Sequence, residues 1–137
     1  LEIPGNMNTK LLMTASAIIM GAIGIFASFM PNEILQAFGQ TSTATLTLMV
    51  QITGALYFGF AMMNWMAKSF LIGGIYAKPL SIGNFAHFGI AGLALIKTVI
   101  NNSITSKYIL VLAIVYLLFA ITFGIVSFAN PKLNMKS

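Results

Sequence analysis

Hydrophobic and polar positions are grouped along this chain into long blocks. Four apolar runs, each of about 20 residues or more, are separated by short polar segments. About 20 apolar helical residues cross the hydrocarbon core of a bilayer, and backbone groups in lipid must bond within their own segment. The pattern therefore predicts four transmembrane helices, at residues 10–30, 44–67, 79–100 and 107–129.

The ends of these runs carry the expected helix signals. Pro31 ends the first run, and residues 31–38 have the pattern of a short interfacial helix that Gly39 closes. Pro79 suits the first turn of the third helix. The short connections predict an antiparallel four-helix bundle in which successive helices are neighbours. The predicted caps and turns are Thr41–Thr43, Gly73–Gly74, Asn101–Ser103 and Asn130–Pro131.

Composition excludes a soluble domain. The chain is 58% hydrophobic and 7% charged, with a mean hydropathy of +0.94, whereas soluble domains are about 25% charged. The absence of cysteine excludes disulfides and thiolate chemistry. We interpret residues 1–6 as a vector-derived remnant before Met7 and residues 7–137 as one all-α membrane domain. Glu33 is then the only native carboxylate side chain.

The charge pattern predicts an orientation. All seven basic residues are lysines, and they stand singly at the ends of apolar runs, which is typical of membrane anchors and not of a nucleic-acid interface. Cytoplasmic loops carry the excess of positive charge. The count of five lysines against two places both termini in the cytoplasm. The five are Lys10, Lys68, Lys78, Lys132 and Lys136, and the two are Lys97 and Lys107.

Small residues form a stripe on the first span at spacings of three and four, which is the period of close helix packing in membranes. The stripe predicts either a homodimer face or packing within the molecule, and we favour the second interpretation. The fourth span is bulky on every side, so we expect it to expose the most surface to lipid. The stripe consists of Thr14, Ala17, Gly21, Gly24 and Ser28.

Polar residues inside the apolar runs are the candidate site. The third span carries Asn84 and His87, the only histidine. At 1.5 Å per residue they lie roughly 9 and 13 Å from its cytoplasmic end, while Asn64 and Tyr57 on the second span lie at roughly 6 and 16 Å. We therefore expect Asn64 to bond Asn84 and Tyr57 to reach His87. Lys68, Tyr76 and Lys78 would line the mouth of this cluster.

Two interpretations of the cluster remain open. The first is interhelical hydrogen bonding, and in membranes each such bond contributes on average about 0.6 kcal/mol to stability. A ligand site is the second, because buried polar residues in membranes are commonly functional. A lipid head group would then meet the lysines, or the polar tip of a quinone-like or sterol-like lipophile would meet His87. No catalytic set, metal site or resident cofactor is predicted, and without aspartate a Ser-His-Asp triad is impossible.

Two stretches carry a family resemblance. They are "QITGALYFGFAMMNWMAK", residues 51–68, and "GGIYAKPLSIGNFAHF", residues 73–88. Both resemble small four-span bacterial membrane proteins of the broad DoxX-like group, and within it a family of unknown function. The resemblance implies a four-helix bundle in a bacterial inner membrane and supplies no catalytic residue. Some DoxX-like proteins are associated with quinone or thiol oxidation, and without cysteine the thiol chemistry is excluded here.

The sequence thus predicts a small non-catalytic accessory or lipid-interacting membrane protein. Its expected partners are membrane lipids, and a second copy or a larger membrane complex. The alternative is a binder, carrier or isomerase of a small lipophile. The two differ in whether the space between the second and third spans is closed or holds a cavity of a few hundred Å³.

Overall fold

A computed structural model of the chain describes residues 8–70, 75–101 and 107–129. In these ranges the chain forms five helices and no strand, and four of the helices are long and apolar enough to cross a membrane. The predicted all-α fold with four long apolar helices is confirmed for the described residues, with bounds that agree to within one residue at each end. The helices are α1 (Thr9–Phe29), α2 (Pro31–Ala37), α3 (Ala44–Ala67), α4 (Lys78–Ile100) and α5 (Lys107–Phe128).

The helix ends follow the sequence signals. Within the predicted cap, Thr43 is the residue that caps α3, because its Oγ1 accepts a hydrogen bond from the Leu46 amide N–H at 3.2 Å. Pro31 opens α2, and Gly39 follows it with a φ of +70°, a left-handed conformation that glycine adopts without strain. Residues 1–6, Lys132, Lys136 and the turns predicted at Gly73–Gly74, Asn102–Ser103 and Asn130–Pro131 lie outside the described residues.

Helices α1 and α3 form an antiparallel pair with their backbones in contact. Gly24 and Gly54 face each other at the crossing. A Cβ added to Gly24 would lie 2.7 Å from the Phe58 amide nitrogen, and one added to Gly54 would lie 2.7 Å from that of Ser28. Gly21 continues the contact, since a Cβ added to it would lie 3.5 Å from the Ala61 Cβ. The small-residue stripe of the first span thus packs against α3 of the same chain.

Helices α4 and α5 form the second antiparallel pair, which is packed through aromatic rings. The Phe85 ring would be 3.1 Å from a Cβ at Gly124. The Phe88 ring stacks on that of Phe119 with centroids 4.8 Å apart. Close backbone approach is concentrated within the two pairs, and the pairs meet mainly through side chains. The antiparallel neighbours α3 and α4 therefore touch without close backbone packing.

The expectation that the fourth span exposes the most surface is wrong. Among the four long helices, α5 buries the largest share of its residues and α3 the smallest. The reason is that bulky side chains on one stripe of α5 fill the space between the two pairs, whereas α3 meets its neighbours mainly through small residues. The buried stripe of α5 contains Ile109, Ala113, Tyr116, Ala120, Phe123 and Ser127.

The α1–α3 crossing can be tested with three alanine substitutions. Gly24→Ala and Gly54→Ala each force the two backbones apart, and we expect each to lower the free energy of unfolding by about 1–3 kcal/mol. Gly59→Ala on α3 is the matched control, because no atom lies within 4 Å of its added Cβ. Alanine there should be neutral or slightly stabilising. Unfolding in detergent micelles measures all three, and equal losses would contradict the close crossing.

Candidate functional site

Two buried carboxamides join α3 to α4. The side chains of Asn64 and Asn84 are fully buried, and each donates to the other. Asn64 Nδ2 lies 2.7 Å from Asn84 Oδ1, and Asn84 Nδ2 lies 2.8 Å from Asn64 Oδ1. The structure therefore brings these two predicted residues into direct contact.

The remaining N–H groups of the two amides also have partners. Asn64 Nδ2 donates to Ser16 Oγ at 3.0 Å, and Asn84 Nδ2 donates to the Leu80 carbonyl at 2.9 Å. Ser16 Oγ in turn donates to the Met13 carbonyl at 3.0 Å. We call Ser16, Asn64 and Asn84 the amide clamp. An asparagine amide has two N–H donors, so the clamp has none left for a ligand.

His87 is surrounded by aromatic rings and takes no part in the clamp. The Tyr57 ring meets the imidazole edge-on with centroids 5.0 Å apart, and the Phe60 ring stacks on it at 5.5 Å. Phe88 and Tyr116 are also adjacent, at 5.1 and 5.8 Å. The Nε2 atom is buried, and no hydrogen-bond partner for it exists among the described residues. A buried unsatisfied polar group costs about 1–3 kcal/mol.

A pair of tyrosines lies beside the imidazole. Tyr116 Oη donates to Tyr57 Oη at 2.6 Å, which joins α5 to α3. Two hydroxyls carry two hydrogens and this bond uses one, so one O–H remains available for a further acceptor. Sequence reasoning missed Tyr116. The available signal was its position between Ala113 and Ala120 on one stripe of α5, where small residues mark a packed face.

The three residues predicted at the mouth of the cluster stand apart from it. Lys68 places its Nζ 3.1 Å above the Trp65 ring, a cation–π contact at the end of α3. The side chains of Tyr76 and Lys78 are exposed. In the described part of the chain, none of these three side chains bonds to Asn64, Asn84, Tyr57 or His87.

A groove of about 560 Å³ lies beneath α2, between α1 and α3 and beside α5. We call it the α2 groove. Its walls are almost entirely apolar. The Thr53 hydroxyl bonds within its own helix, to the Met49 carbonyl at 2.8 Å, so Tyr57 contributes the available polar side chain. The lining includes Ala22, Phe26, Ile34, Phe38, Val50 and Tyr57.

A second groove, of about 430 Å³, lies between α4 and the Phe60 side chain of α3, and it is lined mainly by small residues of α4 together with His87. Tyr57 lines the α2 groove and His87 lines this one, and their rings are in contact. The two rings therefore form the wall between the two spaces.

The chemistry that this site offers is hydrogen bonding. Within the described ranges, no three His, Cys, Asp or Glu side chains come together as a metal ligand set would require. Comparison of the chain with family models, curated proteins and solved structures finds no match in any of the three. The functional argument therefore depends on the geometry of the site.

The amide clamp predicts a coupled stability effect. Asn84→Leu leaves the Asn64 amide buried without its partner, and we expect a loss of about 1–3 kcal/mol in the free energy of unfolding. The double variant Asn64→Leu with Asn84→Leu removes both polar groups and should lose less than the sum of the two single variants. Unfolding in micelles measures this, with the exposed Asn101→Leu as control. Additive losses would show that the two amides do not interact.

Proposed function

We propose that this protein is a small non-catalytic membrane protein that holds a lipophilic molecule from the bilayer in the α2 groove. The observation that carries the proposal is the groove itself, about 560 Å³ with apolar walls. Ligand pockets commonly measure about 300–1,000 Å³ and are lined mainly by apolar side chains.

The short helix α2 supports this proposal because it is amphipathic. Ile34 and Phe38 line the groove, while Asn32 and Glu33 are exposed. Thr47 Oγ1 donates to Asn32 Oδ1 at 3.1 Å, which ties α2 to α3. A bilayer lipid can therefore place its apolar part in the groove and its polar part beside α2.

The polar groups of the groove support binding without catalysis. General acid–base chemistry needs a group that gains and loses a proton near neutral pH, placed within reach of the substrate. The polar side chains of the lining are the hydroxyls of Thr53 and Tyr57, and the first bonds its own helix. The binder, carrier or isomerase alternative places its ligand at the cluster of Asn64, Asn84 and His87, and a ligand that bonds the two amides would have to break the clamp.

The proposal includes a bacterial inner membrane, with both termini in the cytoplasm. The antiparallel helices support this orientation, because the start of α1 at Lys10, the end of α3 at Lys68 and the start of α4 at Lys78 share one end of the bundle. Lys97 and Lys107 lie toward the other end. Membrane lipids are the proposed partners, and a homodimer or a larger membrane complex remains a prediction.

Orientation can be tested by single-cysteine labelling, since the chain has no native cysteine. Ser69 and Thr41 are exposed at opposite ends of α3. In intact cells a membrane-impermeant maleimide should label Thr41→Cys and should label Ser69→Cys only after permeabilisation. The reverse pattern would place the termini outside the cytoplasm.

Lipid retention tests the groove. Ala22→Trp puts an indole into the α2 groove, and we expect it to lower the amount of co-purifying lipophile at least about fivefold, as measured by native mass spectrometry. Ala55→Trp is the matched control, because Ala55 is also exposed but lies outside the lining. If the wild type retains nothing, or both variants retain the same amount, the proposed function fails.

A further inference from the structure

We infer that the lipophile in the α2 groove carries a hydrogen-bonding oxygen, a carbonyl or a hydroxyl, on its buried end, and that the Tyr57 hydroxyl holds this oxygen. The inference rests on the proposed function and deepens it. It selects a molecule with a polar inner end over a plain hydrocarbon chain.

Tyr57 lies at the deep end of the groove. The lining of α3 extends from Leu46 to Tyr57, which is roughly 16 Å at 1.5 Å per residue. Leu46 is near the start of α3, beside α2, whereas Tyr57 lies close to the middle of the helix. A molecule that fills the groove from the α2 side therefore brings its inner end to Tyr57.

The inner end of the groove has an unused donor. The bond between Tyr57 and Tyr116 uses one of their two hydroxyl hydrogens. Leu112 also lines the groove, one helical turn before Tyr116, so the groove reaches the helix that carries the second hydroxyl. In hydrocarbon, an acceptor for the remaining hydrogen has to come from the protein or from a ligand.

A second unpaired polar atom lies on the other side of the Tyr57 ring. The His87 imidazole is in edge contact with this ring, and its Nε2 has no partner among the described residues. Because the two rings separate the two grooves, a ligand in the α2 groove meets the Tyr57 hydroxyl and not this nitrogen. A terminal methyl group would leave the free hydroxyl hydrogen unsatisfied, whereas a carbonyl or hydroxyl oxygen accepts it.

The experiment compares two small molecules that have the same skeleton. Fluorene and 9-fluorenone share a flat three-ring frame and differ by one carbonyl oxygen. Equilibrium dialysis into micelles containing the full chain, measured against protein-free micelles, gives a Kd for each. We expect 9-fluorenone to bind about fivefold more tightly, which is the value of one ordinary hydrogen bond.

Two tyrosine variants separate ligand binding from folding. Tyr57→Phe and Tyr116→Phe both delete the bond between the two hydroxyls, so they weaken the fold to a similar extent. Tyr57→Phe also removes the hydroxyl that lines the groove and should abolish the preference for 9-fluorenone. Tyr116→Phe should keep the preference. A preference that survives Tyr57→Phe, or that both variants lose equally, would overturn the inference.

The Ala22→Trp variant distinguishes failure of the inference about the ligand oxygen from failure of the proposed function. If both molecules bind the wild type equally and Ala22→Trp blocks both, the groove holds lipophiles, but the inference that Tyr57 holds a ligand oxygen is wrong. This result is also expected if Tyr57 satisfies its free hydrogen by bonding His87. If Ala22→Trp changes neither affinity, the molecules do not enter the groove and the proposed function fails with the inference.

Discussion

A polar side chain in the hydrocarbon core of a membrane must find its partners within the protein. Asn64 and Asn84 satisfy this requirement by bonding each other, with Ser16 and the Leu80 carbonyl completing the set. Because both amides are fully buried, sliding α3 along α4 would break both reciprocal bonds between them together. The clamp therefore sets the register of the two helix pairs, and the positions of Tyr57 and His87 follow from it.

Different interactions hold the molecule together within and between the pairs. Glycines let α1 and α3 touch backbone to backbone, and such contact supplies association where lipid gives no hydrophobic driving force. Between the pairs, aromatic rings and the buried stripe of α5 span a wider gap. The rings of Tyr57, His87 and Tyr116, which come from three different helices, meet in this gap.

The helices could be predicted because hydropathy and a few end signals, such as Pro31 and Thr43, depend only on local sequence. The contacts of Asn64 with Asn84 and of Tyr57 with His87 could be expected because helical rise fixes depth in a membrane. Tyr116 could not be placed in this way. Its helix is apolar on all sides, so Ala113 and Ala120 give only a weak signal for the buried stripe, and a groove depends on how far apart the helices stand.

The bond from Asn64 to Ser16 has a consequence for biogenesis. Asn64 precedes Asn84 by 20 residues, so α3 leaves the ribosome before the segment that completes the clamp. Ser16 has been synthesised by then and lies on the helix that packs against α3. The first hairpin can therefore enter the bilayer with its amide already hydrogen-bonded, and Asn84 then joins a site that is half assembled.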